Sequence, residues 1–301
     1  MGIYDEIAAN RRKSYFLILG FFGFAVFLGL FIGMMYGNQY MGLILAAVIG
    51  CIYFLFSYYG GANAILAMSK AVEAKKPEYT QLINTVEGLS IAAGLPKVPT
   101  VYVIDDSALN AFATGRDPEH ASITVTTGLL HKLNKLELEG VLAHEMSHIK
   151  NYDIRVMMLA AVMVGLTVLL SDFLLRSFLW GGKGEQREKN QLSLILIIVG
   201  IALAVLSPLI GQLIQLAISR KREFLADASG ALLTRYPKGL SDALRKIKGD
   251  PDPLVDVANK ATAHLFISMP FRHDRKKTSW MQNLFQTHPP IEDRIKKLDE
   301  M

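Results

Sequence analysis

The chain holds one cysteine, Cys51, among 301 residues. It therefore cannot form an internal disulfide or a cysteine-rich zinc site. Charge is also scarce: Asp, Glu, Lys and Arg make up 20% of the residues, against 51% hydrophobic ones. That balance excludes a disordered or collagen-like chain and argues against an ordinary soluble enzyme. Internal repeats and low-complexity tracts are lacking. No A-x-A cleavage site follows the first apolar run, which is itself too long for a signal peptide. Glu6 stands where a myristoylation signal needs Ser or Thr.

What the chain does have is apolar length. A helix needs ~20 apolar residues to cross a bilayer, and four stretches provide them, at 14–36, 40–59, 156–179 and 192–218. The first two are uncharged. The third carries Asp172 and Arg176, four apart on one helical face. The fourth carries Pro208, Gln212 and Gln215. The last two read either as spans or as a buried helical hairpin, joined by a linker at 180–191 of mixed charge. In both cases the chain enters and leaves on one side.

The net charge of +5 is largely explained by residues flanking these stretches. Arg11, Arg12 and Lys13 precede the first, Arg220, Lys221 and Arg222 follow the fourth, and the turn at 37–39 is uncharged. The positive-inside rule then places residues 1–13, 60–155 and 219–301 in the cytoplasm, beneath a multi-pass cell-membrane anchor. A nucleic-acid partner is not expected.

The polar regions read as helices with a few strands. Leu82, Ile83, Val86 and Leu89 predict a helix over 77–93, ended by Gly94 and Pro96. Residues 98–104 and 122–126 are β-branched runs that predict strands. Asn134, with Glu137 three residues on, predicts a capping box opening a helix that runs to Lys150.

That helix carries His144-Glu145-Met146-Ser147-His148. Histidines at i and i+4 project from one face, so both imidazoles can reach one zinc ion. Glu145 lies about 100° around the helix, near enough to take a proton from an attacking water. HExxH also occurs by chance on surface helices. Here Leu138, Val141, Leu142 and Ile149 supply an apolar face for a core. Zinc needs a further protein ligand. His120, His131, His264, His273 and His288 lack the short downstream spacing of three-histidine zincins; the carboxylate candidate is Glu223, just after the fourth stretch. Asp227, four residues later, can accept a histidine N–H. By residue type alone, Glu223 beside three basic residues would be a salt-bridged surface group. Its placement just after the fourth stretch, with His148 just before the third, puts both roughly 10 Å from the hydrocarbon edge.

These segments resemble the HtpX family of membrane-integral zinc metallopeptidases over nearly the whole chain. The matching pieces are IAANRRKSYFL at 7–17, NAFATG at 110–115, HEMSHIKNYD at 144–153, REFLADASGA at 222–231 and LFQTHPPIEDRI at 284–295. The expected fold is an α-helical integral membrane protein whose zincin-like metallopeptidase domain is mainly α (α+β) with a small β-sheet. The resemblance implies one zinc ion on His144, His148 and Glu223, with Glu145 as catalytic base. It implies a cytoplasmic-facing protease acting on misfolded or damaged membrane proteins or unfolded polypeptides, with other proteases or chaperones of membrane quality control as partners. It also implies that Asn110, Ala111 and Phe112 belong to an edge strand that binds extended substrate, and that His288 and Arg294 hold the tetrahedral oxyanion. Without the resemblance, His288-Pro289-Pro290 is only a rigid turn and Arg294 equally a surface salt bridge.

Three other functions compete. A CAAX prenyl endopeptidase shares the zinc logic but is longer, with more spans. A membrane adaptor binding unfolded segments would have no use for Glu145. A transporter would be expected to carry more intramembrane charge.

Overall fold

The computed structural model describes residues 3–35, 37–159, 220–250 and 289–301. His288, the linker at 180–191, the stretch 192–218 and all but the start of 156–179 lie outside these residues.

The chain opens with a helical hairpin, α1 (Ile3–Met35) and α2 (Gln39–Met68). Gly37 adopts a positive φ of 74° in the turn, and the Asn38 side chain accepts the Met41 N–H at 3.0 Å to start α2. Small residues let the two backbones touch. A Cβ on Gly42 would lie 2.2 Å from the Gly29 carbonyl oxygen, and one on Gly29 would lie 2.3 Å from the Ala46 Cβ. Gly29 and Gly33, four apart on α1, form the GxxxG stripe that favours such close crossings. Further along, Phe21 stacks on Tyr53 with centroids 6.0 Å apart. The outward side chains are apolar: Tyr15, Phe16, Leu19 and Phe27 on α1, and Ile49, Ile52 and Phe56 on α2, are exposed. Among the described residues, α2 is long and apolar enough to cross a membrane.

A four-stranded sheet follows, made of β1 (Val72–Glu73), β2 (Thr100–Ile104), β3 (Ala111–Gly115) and β4 (Ala121–Thr126) in the order β1-β2-β4-β3. The β2–β4 pair is parallel and the other two are antiparallel, so the sheet is mixed. Both strands expected from the β-branched runs are present. The third helix, α3 (Thr80–Ala93), starts three residues later than the apolar spacing predicts, because Pro77 opens a turn whose carbonyl accepts the Thr80 hydroxyl at 2.9 Å. Gly94 ends it in the left-handed conformation.

The short α4 (Thr127–Lys132) leads to α5 (Lys135–Lys150), which opens with the expected capping box: Asn134 accepts the Glu137 N–H, and Glu137 accepts the Asn134 N–H. The core lies between the sheet and this helix. Leu82, Val86, Val101, Ile123, Val125, Leu142 and Met146 are buried together there. Three more helices enclose α5: α6 (Arg220–Thr234), α7 (Pro237–Gly249) and α8 (Ile291–Asp299). Glycines bring α5 into backbone contact with two of them. A Cβ on Gly140 would come within 2.6 Å of the Leu240 nitrogen, and one on Gly230 within 3.0 Å of the His144 nitrogen. The α5 helix is thus the central rod of the domain, buried on nearly every side.

Candidate metal centre

Because α5 is enclosed, its HExxH residues are all buried. The i,i+4 spacing stacks the two imidazoles edge to face, with centroids 4.7 Å apart and planes at 89°. Their Nε2 atoms lie 3.2 Å from one another. From α6, Glu223 places Oε2 3.7 Å from His144 Nε2 and Oε1 3.6 Å from His148 Nε2. Its side chain has no solvent exposure. The surface salt-bridge reading of this glutamate is therefore excluded. Against expectation from its basic neighbours, Arg222 is also buried. It points inward and donates to Asp153.

Each histidine is held from behind by a buried carboxylate. Asp227 Oδ1 lies 2.9 Å from His144 Nδ1, one helical turn beyond Glu223 as the spacing predicts. Asp153 Oδ2 lies 2.8 Å from His148 Nδ1. Sequence reasoning missed Asp153, although it closes the HEMSHIKNYD segment five residues after His148. Its signal is an acid at the mouth of an apolar stretch, just past a metal-binding helix. With both Nδ1 protons committed to carboxylates, both Nε2 lone pairs face the same point. Two lone pairs 3.2 Å apart repel unless a cation or proton lies between them. A tetrahedron of ligands at about 2.0–2.1 Å has edges of about 3.3–3.4 Å. The described donor set of His144, His148 and Glu223 fits that size.

The electrostatics follow from this crowding. Burial pushes His148 toward its neutral form, but the Asp153 hydrogen bond and the charges of Glu223, Asp153 and Glu145 outweigh it, raising its pKa to about 9. Burial also disfavours the Asp227 carboxylate. The Arg294 charge and the His144 hydrogen bond more than offset that, and Asp227 is held at about 2.

Arg294, on α8, has no solvent exposure, so the surface salt-bridge reading fails here too. It grips Asp227 with two parallel bonds, Nε to Oδ2 at 2.8 Å and Nη2 to Oδ1 at 2.6 Å. Its Nη1 lies 3.7 Å from Glu223 Oε2. Glu145 is buried beside these groups and its charge acts on both His148 and Arg294. The other described histidines are not brought to the site. His120 pairs with Asp117, and His131 sits exposed on α4.

The segment carrying Asn110, Ala111 and Phe112 lies at the sheet edge formed by β3, with all three side chains buried. The Asn110 N–H donates to the Thr126 hydroxyl and its carbonyl accepts the Thr126 N–H, both at 3.0 Å. Asp250, at the end of α7, accepts the Leu109 N–H at 3.1 Å and pairs with Lys132. The approach to β3 is thereby fixed from two sides.

Residues 76–301 match the family model described as Peptidase family M48. Over 301 residues the chain is 45% identical to a protein of Thermoanaerobacter pseudethanolicus described as a protease HtpX homolog, covering 99% of this chain and 98% of that one. Protease HtpX homologs of Listeria monocytogenes and Dictyoglomus thermophilum are 42% and 46% identical, each over 99% of this chain and over 100% and 94% of their own lengths. Among solved structures, S. mikatae Ste24p shares the fold at a TM-score of 0.52 and 19% identity, covering 98% of this chain and 67% of that one. Relatedness along its whole length places this chain in peptidase family M48, among the HtpX metalloproteases.

Proposed function

We propose that the chain is a membrane-integral zinc endopeptidase that cuts misfolded or damaged membrane proteins on the cytoplasmic side, with the metal on His144, His148 and Glu223. The observation that carries this reading is the convergence of two Nε2 atoms and one carboxylate, each imidazole backed by its own buried aspartate. Bound there, zinc supplies Lewis acidity toward water and a peptide carbonyl. Glu145 takes the proton of the attacking water and returns it to the leaving amine. Arg294 holds Asp227, and through it His144, while its Nη1 faces the site and can meet negative charge developing on the carbonyl oxygen; His288 is assigned the same task by resemblance. An extended substrate lies along β3 beside Asn110, Ala111 and Phe112 by main-chain pairing. The α1–α2 hairpin and the stretches at 156–179 and 192–218 hold this domain against the bilayer, where unfolded membrane segments emerge.

Metal analysis paired with digestion of casein or a membrane substrate tests the reading. Glu145→Gln keeps one zinc per chain and loses nearly all cleavage, since the ligands survive and the base does not. Near wild-type cleavage by this variant removes Glu145 from the role.

A further inference from the structure

The turn that leaves the metal-binding helix is held by the first helix of the chain. Asn10, on α1, is 1% exposed. Its Nδ2 donates to the Asn151 carbonyl and to Asp153 Oδ1, both at 2.7 Å. Asp153 Oδ1 also accepts from Arg222 on α6. With that oxygen bound twice, the other, Oδ2, is left for His148 Nδ1 at 2.8 Å. One carboxylate thus joins α1, α6 and the metal-binding helix.

The amide can be oriented in one way. Reversed, it would set Asn10 Oδ1 against a carbonyl and a carboxylate, two acceptors. As oriented, Oδ1 has no hydrogen-bond partner among the described residues. That residual cost is accepted in return for two donated bonds. The neighbouring residues grip the same turn. Arg11 donates to the Tyr152 hydroxyl at 3.3 Å and lies over its ring, and Tyr152 itself has a positive φ of 61°.

We infer that Asn10 is a positioning residue of the metal centre: it holds Asp153 so that the second carboxylate oxygen fixes the His148 ring. The inference rests on the metal reading above and adds that the first apolar helix completes the centre as well as anchoring it. A neutral donor suits the position. Arg222 already supplies one positive charge to Asp153, and a second would drain the negative charge that orients His148.

Zinc affinity of the full-length protein in detergent, measured by competition with a chromogenic chelator, tests this without recourse to activity. Asn10→Ala binds zinc about tenfold more weakly, the low end of the range for a partner outside the metal's own ligands. Asn10→Asp, nearly isosteric and so safer for folding, weakens it at least as much because it sets two carboxylates together. Ser14→Ala, one turn along α1, leaves affinity near wild type. In an Asp153→Ala background, Asn10→Ala adds no further loss, because its effect runs through that carboxylate. At saturating zinc the Asn10 variants keep the wild-type KM. Additive losses, or an Asn10→Ala and an Asn10→Asp protein that both hold zinc as tightly as wild type, overturn the inference alone. A wild-type protein that fails to bind zinc overturns the metal reading, and this inference with it.

Discussion

Two imidazole nitrogens 3.2 Å apart cannot both present lone pairs without a positive charge between them. In the metal-free protein that charge is a proton on His148, whose pKa is raised to about 9. Since the folded value exceeds the unfolded value of about 6.5, this protonation stabilises the metal-free fold fully below pH 6.5. The contribution is lost as pH rises through about 9. Metal and proton compete for the same site, so loading zinc at pH 7 should release about one proton from His148. Calorimetry in buffers of different ionisation enthalpy measures this. Release at pH 7 that vanishes by pH 10 is expected, and none at pH 7 would contradict the raised pKa. Ligands and their supports should also separate by affinity. Glu223→Ala is expected to lose zinc as severely as His144→Ala, because two imidazoles alone make a poor site. Asp227→Ala and Asp153→Ala should each cost on the order of 10- to 100-fold, since each loosens a ring without removing a ligand. Chelator competition ranks the four, and a Glu223→Ala protein with wild-type affinity would move the carboxylate ligand elsewhere.

Helix α5 works as a scaffold because glycines let its neighbours touch its backbone. Gly230 sets the spacing of α6 against α5 where it matters most, at the nitrogen of His144. Gly230→Val forces side-chain atoms into that contact and separates Glu223 from the two histidines. Overpacking of this kind costs about 1–3 kcal/mol, and zinc affinity should fall with stability. Gly88, exposed on α3 with nothing within 4 Å of a Cβ, is the contrasting case. There Gly88→Ala should stabilise the domain by about 0.5–1 kcal/mol. Thermal unfolding in detergent compares the two, and a tolerated Gly230→Val would show that α6 is not held by this contact.

At the scale of the whole molecule, the apolar outer faces of α1 and α2 adjoin a domain with a conventional packed core. The hairpin packs by small residues and aromatic stacking and exposes many of its large side chains, among them Phe16, Leu19 and Phe27 on α1 and Ile49, Ile52 and Phe56 on α2. Its polar end is tied to the metal centre through Asn10. With Arg11, Arg12 and Lys13 before the first apolar stretch and an uncharged turn at 37–39, reporter fusions at residues 38 and 100 should read outside and inside. A fusion at 100 that reads outside would move the catalytic domain to the other compartment.

Short-range geometry made much of this protein readable from its residues. The i,i+4 pairs His144–His148 and Glu223–Asp227, the Asn134–Glu137 capping box and the β-branched strands are set by the helical and extended repeats themselves, and all appear in the fold. Glu223 could be joined to the histidines only through its chemistry and its place after the fourth apolar stretch. Which far groups steady the site was decided by tertiary structure alone. Asn10 and Asp153 are 143 positions apart, Arg222 and Asp153 69, and Arg294 and Asp227 67. No local periodicity links such pairs. In the sequence Arg222 is a membrane-flanking charge, and Arg294 by residue type is as open to a surface salt bridge as to a role in catalysis. Packing around α5 turns both inward, because a buried carboxylate that must orient a metal-binding histidine needs a donor or an opposite charge beside it, and only the folded chain can bring one there.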